Sequence, residues 1–168
     1  VLVAPQPSVK TVEGDQIGLS GQLTANLTQN NSENTEVWFE YRKSGATAWN
    51  STSTKTINEE KVFYSSFKPS NIQEYEFRAK ANNTQGTTTG STKTINFNEP
   101  SFSGGDGSNI NPYRISNCRE LQNIHWIEEY NKYYELVNDI DCTNTKNWHK
   151  GSAFPGGHGF IPIGSTHD

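Results

Sequence analysis

Across residues 8–97, apolar and polar residues alternate in short runs separated by polar turns. A period of two is the signature of antiparallel strands with one buried face. Ile17, Leu19 and Leu23 are expected to share one face of a first strand. Val37, Phe39 and Tyr41 line the inner face of the next, with Trp38, Glu40 and Arg42 opposite, and Lys43-Ser44-Gly45-Ala46 supplies a turn. Residues 62–67 read as a strand with apolar residues on both faces. Tyr75, Phe77, Ala79 and Ala81 alternate with Glu74, Glu76, Arg78 and Lys80, the cleanest strand in the chain. Residues 92–97 should close the sheet after a turn over residues 86–90.

Beyond residue 97 the pattern changes. Pro100, Gly104, Gly105 and Gly107 fall in a stretch without periodicity, which reads as a linker. Asn117 and Glu120 have the spacing of a capping box, and Leu121, Ile124 and Ile127 give one apolar side to a short helix ending near Glu129. Tyr134, Leu136 and Ile140 then alternate with Glu135, Val137 and Asp139, predicting a strand with one strongly apolar face. The expected architecture is mainly β. Residues 1–98 form an antiparallel β-sandwich, 99–109 a linker, and 110–168 a small β-rich module with one short helix.

Two resemblances sharpen this outline. Val37-Trp38-Phe39-Glu40-Tyr41-Arg42 followed by Trp49, then Tyr75-Glu76-Phe77-Arg78-Ala79, then Gly90-Ser91-Thr92-Lys93-Thr94, resemble the C, F and G strands of fibronectin type III-like and immunoglobulin-like domains in large surface proteins of archaea and bacteria. That resemblance implies a tyrosine corner at Tyr75, with the usual preceding proline displaced to Pro69. Asn111-Pro112-Tyr113-Arg114-Ile115, Glu120-Leu121-Gln122, Tyr134-Glu135-Leu136-Val137-Asn138-Asp139-Ile140-Asp141 and Phe160-Ile161-Pro162-Ile163-Gly164 resemble in order the start of a GLUG-type β-helix. Such families continue into further rungs, so an unpaired edge over residues 160–164 is expected to meet more chain or another subunit.

Composition narrows the function classes. A net charge of -4 and the lack of a Lys/Arg cluster argue against nucleic acid as a partner. Asn, Ser and Thr make up 52 of the 168 residues, and only 19% are charged, a profile common in secreted β-proteins. No apolar run approaches the roughly 18 residues that a membrane-spanning helix needs. The chain opens without Met or a signal-type apolar segment, so its N-terminus is expected to be processed or excised. Cys118 and Cys142 are the only cysteines. They leave a disulfide or two free thiols, and the secreted-type composition favours the disulfide.

Little in the sequence asks for catalysis or a cofactor. His125, His149, His158 and His167 lack a metal-ligand spacing; His125 is expected to be structural, and His149 and His158 solvated beside a glycine-rich loop. Asp139 and Asp141 could pair as carboxylates for calcium or proton transfer, although a strand end turning into solvent is the simpler reading. Asp106-Gly107-Ser108-Asn109 reads as a turn. No nucleophile elbow, P-loop or dinucleotide fingerprint occurs. N-glycosylation sequons stand at Asn26, Asn30, Asn50 and Asn82. Trp38 and Trp49 are expected in the core or between sheets, leaving Trp148, among Asn147, His149 and Lys150, as the candidate ligand contact. The expectation is a non-catalytic extracellular structural or adhesive module, associating with other surface or filament subunits and with glycans. Its rival is an accessory region of a secreted hydrolase or peptidase.

Overall fold

The computed structural model describes residues 5–30, 33–126, 131–150 and 159–163. Among them the chain is mainly β. The strands are β1 (Ser8–Ile17), β2 (Ser20–Gln29), β3 (Thr35–Lys43), β4 (Asn50–Ser51), β5 (Lys55–Ile57), β6 (Lys61–Phe67), β7 (Glu74–Asn83), β8 (Gly86–Thr89), β9 (Lys93–Asn96), β10 (Tyr113–Ile115) and β11 (Tyr134–Leu136), with one short helix α1 (Cys118–Asn123). The chain divides into two compact units, Val1–Gln16 with Ser20–Phe97, and Ile17–Leu19 with Asn98–Asp168.

The first unit is β-sandwich-like. One sheet runs β1-β2-β6; the other runs β4-β3-β7-β8, with β5 also on β3 and β9 also on β7. Alternation decides which side chains go inside: Leu23, Ala25, Leu27, Phe63 and Phe67 from one sheet join Val37, Phe39, Phe77, Ala79 and Ala81 from the other in a single buried cluster. Phe39 and Phe63 meet at 5.2 Å between ring centroids. Each such ring stabilises the fold by roughly 1.5–3 kcal/mol through burial, before entropy is counted.

Two local expectations are corrected here. Ile17, Leu19 and Leu23 do not share a strand, because Gly18 takes φ 60° and turns the chain between β1 and β2. Residues 86–89 are a strand, not a turn: β8 pairs with the C-terminal half of β7, and β9 with its N-terminal half. The edge breaks between them at Gly90, whose N–H still donates to the Ala79 carbonyl at 2.9 Å. At the break, the buried Thr11 hydroxyl accepts the Ala79 N–H at 3.0 Å. A Cβ at residue 90 would meet that hydroxyl at 2.5 Å, so only glycine fits.

In the second unit β10 and β11 pair in parallel, with Tyr113 opposite Tyr134, Arg114 opposite Glu135 and Ile115 opposite Leu136. The segment read as a linker, residues 99–109, bonds to β10 along part of its length. Ser103 N–H donates to the Arg114 carbonyl and Arg114 N–H to the Gly104 carbonyl, both at 2.9 Å, while Phe102 stacks on Tyr113 at 4.6 Å. Asn117 caps α1 by accepting the Glu120 N–H at 3.0 Å. Glu120 reaches one residue further back than a capping box requires, accepting the Ser116 N–H at 2.7 Å. The helix buries Cys118 and Gln122, where the pattern had pointed to Leu121 and Ile124. It passes into a 3-10 turn at Ile124–Trp126; Ile127 and residues 128–129 lie outside the described residues.

The strand expected to reach Ile140 ends at Leu136. Cys118 and Cys142 form a disulfide, with Cα atoms 5.4 Å apart. It ties the first residue of α1 to the segment after β11 and belongs to a small core of Ile17, Cys118 and Trp148, with Ile140, Cys142 and Phe160 packed against it.

Candidate functional site

The outward face of β3 and β7 in the first unit carries a ladder of charges. Opposite residues pair in register: Arg42 Nε donates to Glu76 at 2.6 Å, and Arg78 pairs with Glu40 at 2.7 Å. The turn at residues 43–46 returns the chain as β4, where Asn50 lies opposite Tyr41. One step back along that register sets Trp49 beside Arg42. The Arg42 and Arg78 guanidiniums each lie 4.2 Å from the Trp49 ring centroid. Planar cations on an indole face, themselves held by carboxylates, make a rigid rather than an adaptable surface.

This placement overturns the inward expectation for Trp38 and Trp49. Both are partly exposed on the outward face, because residues 38, 40 and 42 share one side of the pleat while Val37 and Phe39 hold the core. Trp148 is corrected in the opposite sense. It is 7% exposed, in the core of the second unit, with the Arg119 guanidinium 5.6 Å from its ring centroid. Its polar neighbours Asn147 and Lys150 suggested a surface, but the adjoining 3-10 turn at Thr143–Asn147 delivers it inward.

The remaining candidates separate clearly. Tyr75 is buried at the start of β7. Asn26 and Asn82 are partly exposed and Asn50 exposed, whereas Asn30 is 3% exposed and its Nδ2 donates to the Glu33 carbonyl at 3.3 Å. Asp139 and Asp141 are both exposed. Asp141 accepts the Thr143 N–H at 2.8 Å and the Thr143 hydroxyl at 2.5 Å, and these bonds hold its carboxyl below the usual range. It closes a turn. Asp106 does the same, accepting the Ser108 N–H at 2.9 Å. No group of three or more metal-ligating side chains occurs among the described residues.

His149 was expected in solvent and is instead 5% exposed, at φ 55°. Its Nε2 is buried without a hydrogen-bond partner among the described residues. Burial, and then the neighbouring charge of His125, lower its pKa. The glycine-rich sequence around it gave no sign of burial. His158, His167 and Gly164 lie outside the described residues.

The second unit also has an edge. Val137 N–H donates to the Ile115 carbonyl at 3.1 Å, and Tyr113 N–H to the Tyr133 carbonyl at 2.9 Å. In a parallel ladder alternate residues face the partner, so Leu136 directs its backbone away from β10. No strand pairs with that side among the described residues. Leu136 is 64% exposed, beside exposed Val137 and Tyr133. A shallow cavity of about 500 Å³ adjoins it, lined by Leu121, Leu136, Val137, Asn138, Asp139, Ile140 and Cys142. The β-helix resemblance implies an open edge at residues 160–164, but Ile161 is already clasped: its N–H donates to Gln122 Oε1 at 2.7 Å and its carbonyl accepts from Gln122 Nε2 at 3.0 Å.

No helix among the described residues is long and apolar enough to cross a membrane. No protein-family model and no curated protein matches the chain.

Proposed function

We propose that the chain is a non-catalytic, extracellular structural or adhesive module. In this reading a fibronectin type III-like sandwich acts as spacer and display surface, and the second unit is the first rung of a GLUG-type parallel β-structure that further chain or another subunit extends at β11. The observation that carries it is the contrast within one registered pair: Ile115 is fully buried and Leu136, on the same face, is 64% exposed. A parallel two-stranded ladder is too small to bury its own face, and stacked neighbours supply what is missing. The Cys118–Cys142 disulfide suits an oxidising compartment.

Sedimentation over a range of concentrations tests the reading. The chain should associate, and Leu136→Lys together with Val137→Lys should abolish association while leaving the melting temperature unchanged. Association that survives both substitutions, or a chain that stays monomeric throughout, would remove the support for extension at β11 by another subunit. Hydrolysis of glycans or peptides by the purified chain would overturn the non-catalytic assignment.

A further inference from the structure

Of the four sequons, Asn82-Asn83-Thr84 has surroundings that suit an attached sugar. Asn82 lies near the end of β7 on the outward face, opposite Glu36 on β3 and Thr87 on β8. Thr87 Oγ1 donates to its Oδ1 at 2.7 Å. That bond turns the oxygen toward β8 and leaves the amide nitrogen out of the contact. Trp38, on β3, stands opposite Lys80 of β7, which makes it the diagonal neighbour of Asn82 on the same face. Diagonal side chains on a sheet are roughly 7–8 Å apart, a gap that one sugar ring bridges.

Trp38 also differs from Trp49. Two guanidiniums cover Trp49, whereas no aromatic ring or guanidinium stacks on the partly exposed Trp38 among the described residues. We propose that Asn82 carries an N-linked glycan whose first pyranose lies with its C–H face on the Trp38 indole, a surface that is apolar in its body and wet at its edge. Transfer forms a bond from Asn82 Nδ2 to sugar C1 and breaks the C1–oxygen bond to a lipid-linked diphosphate. The Nδ2 proton passes to the transferase base, the diphosphate leaves, and no electrons change hands. Thr84 is exposed at the hairpin that joins β7 to β8, where its hydroxyl donates to Glu33 Oε2 at 2.7 Å and accepts from Gln85 Nε2 at 3.1 Å, both exposed contacts at the surface. Asn30, buried and bonded through Nδ2, stays bare in the folded chain.

The test is the chain secreted from a host that makes N-linked glycans, read first by peptide mass spectrometry. Asn82 should carry a sugar, and the Asn30 peptide should not. A thermal-melting cycle then combines Thr84→Ala, which removes the sequon but keeps Asn82, with Trp38→Leu; Trp38→Phe serves as second variant where the leucine protein does not fold. Loss of the sequon should lower the melting temperature by about 4 °C with Trp38 present and far less without the indole. The coupling should vanish when the same four proteins come from a host without the pathway. An unmodified Asn82 overturns the proposal, and so does an equal fall with and without Trp38.

Discussion

The Tyr75 hydroxyl accepts the Ser70 backbone N–H at 3.1 Å and lies 3.2 Å from Ser70 Oγ. A tyrosine at the start of a strand, bonded back to the backbone a few residues upstream, is the geometry of a tyrosine corner. The ring itself is 3% exposed and packs on Phe67 and Phe97, with centroids at 5.5 and 5.6 Å. Tyr75→Phe keeps the packing and strands one N–H, so it should cost about 1–2 kcal/mol. Urea unfolding should show a lower midpoint with an unchanged slope. Tyr75→Ala, which also opens a cavity, should cost about 3–5 kcal/mol. An unchanged midpoint for the phenylalanine variant would mean that the hydroxyl contributes nothing.

The strands were legible because alternation and burial coincide there. In β7 the pattern Tyr75, Phe77, Ala79, Ala81 is buried at each position, and its polar partners face outward. Period two says which residues share a face but not where a strand stops. That is why Ile17 and Leu23 looked continuous across Gly18, and why β11 looked more than twice its length. The tryptophans failed for a different reason. Large rings are read as core by default, yet Trp38 alternates with Val37 and Phe39 and so had to face outward. Trp148 goes inward because of the disulfide-linked core around it, a tertiary arrangement that no local pattern encodes. The edge at β11 was misplaced to residues 160–164 because the Gln122 side chain imitates a strand partner for Ile161.

Reducing the disulfide should weaken the second unit selectively. The bond closes a loop with a sequence separation of 24 residues, which in the chain-entropy model is worth roughly 3 kcal/mol. A chain carrying Cys118→Ser and Cys142→Ser should lose the near-ultraviolet dichroism of Trp148 at lower urea, with hydrogen exchange in β3 and β7 unchanged. Alkylation of the unreduced protein should label no thiol.

The Trp49 stack should act as a unit with its arginines. Each guanidinium sits 4.2 Å from the ring centroid and is held by a carboxylate opposite, so a double-mutant cycle between Trp49→Ala and Arg78→Ala should give a coupling of about 0.5–1 kcal/mol. Exposed ion pairs weaken with salt more than cation–π contacts with packed stems do. Raising the ionic strength should therefore leave most of this coupling in place, and its complete loss in high salt would reassign it to the ion pairs alone.

His149 should make the second unit acid-sensitive. Its imidazole is buried, its Nε2 has no hydrogen-bond partner among the described residues, and its pKa lies below the usual value because burial, and then His125, oppose the charged form. The unfolded chain therefore binds this proton more readily than the folded one does. Stability is complete above the ordinary histidine pKa, near 6.5, and falls as pH drops from there toward the lowered folded value. Asp141 works in the same direction at lower pH, since its carboxyl is held below the usual range by Thr143. Melting of the Trp148 signal between pH 7.5 and 5.5 should show the histidine effect alone. His149→Asn should remove most of that pH dependence without unfolding the chain, because the residue sits at φ 55° and asparagine adopts the left-handed region readily. An undiminished fall in melting temperature for the asparagine variant would transfer the acid sensitivity to another group.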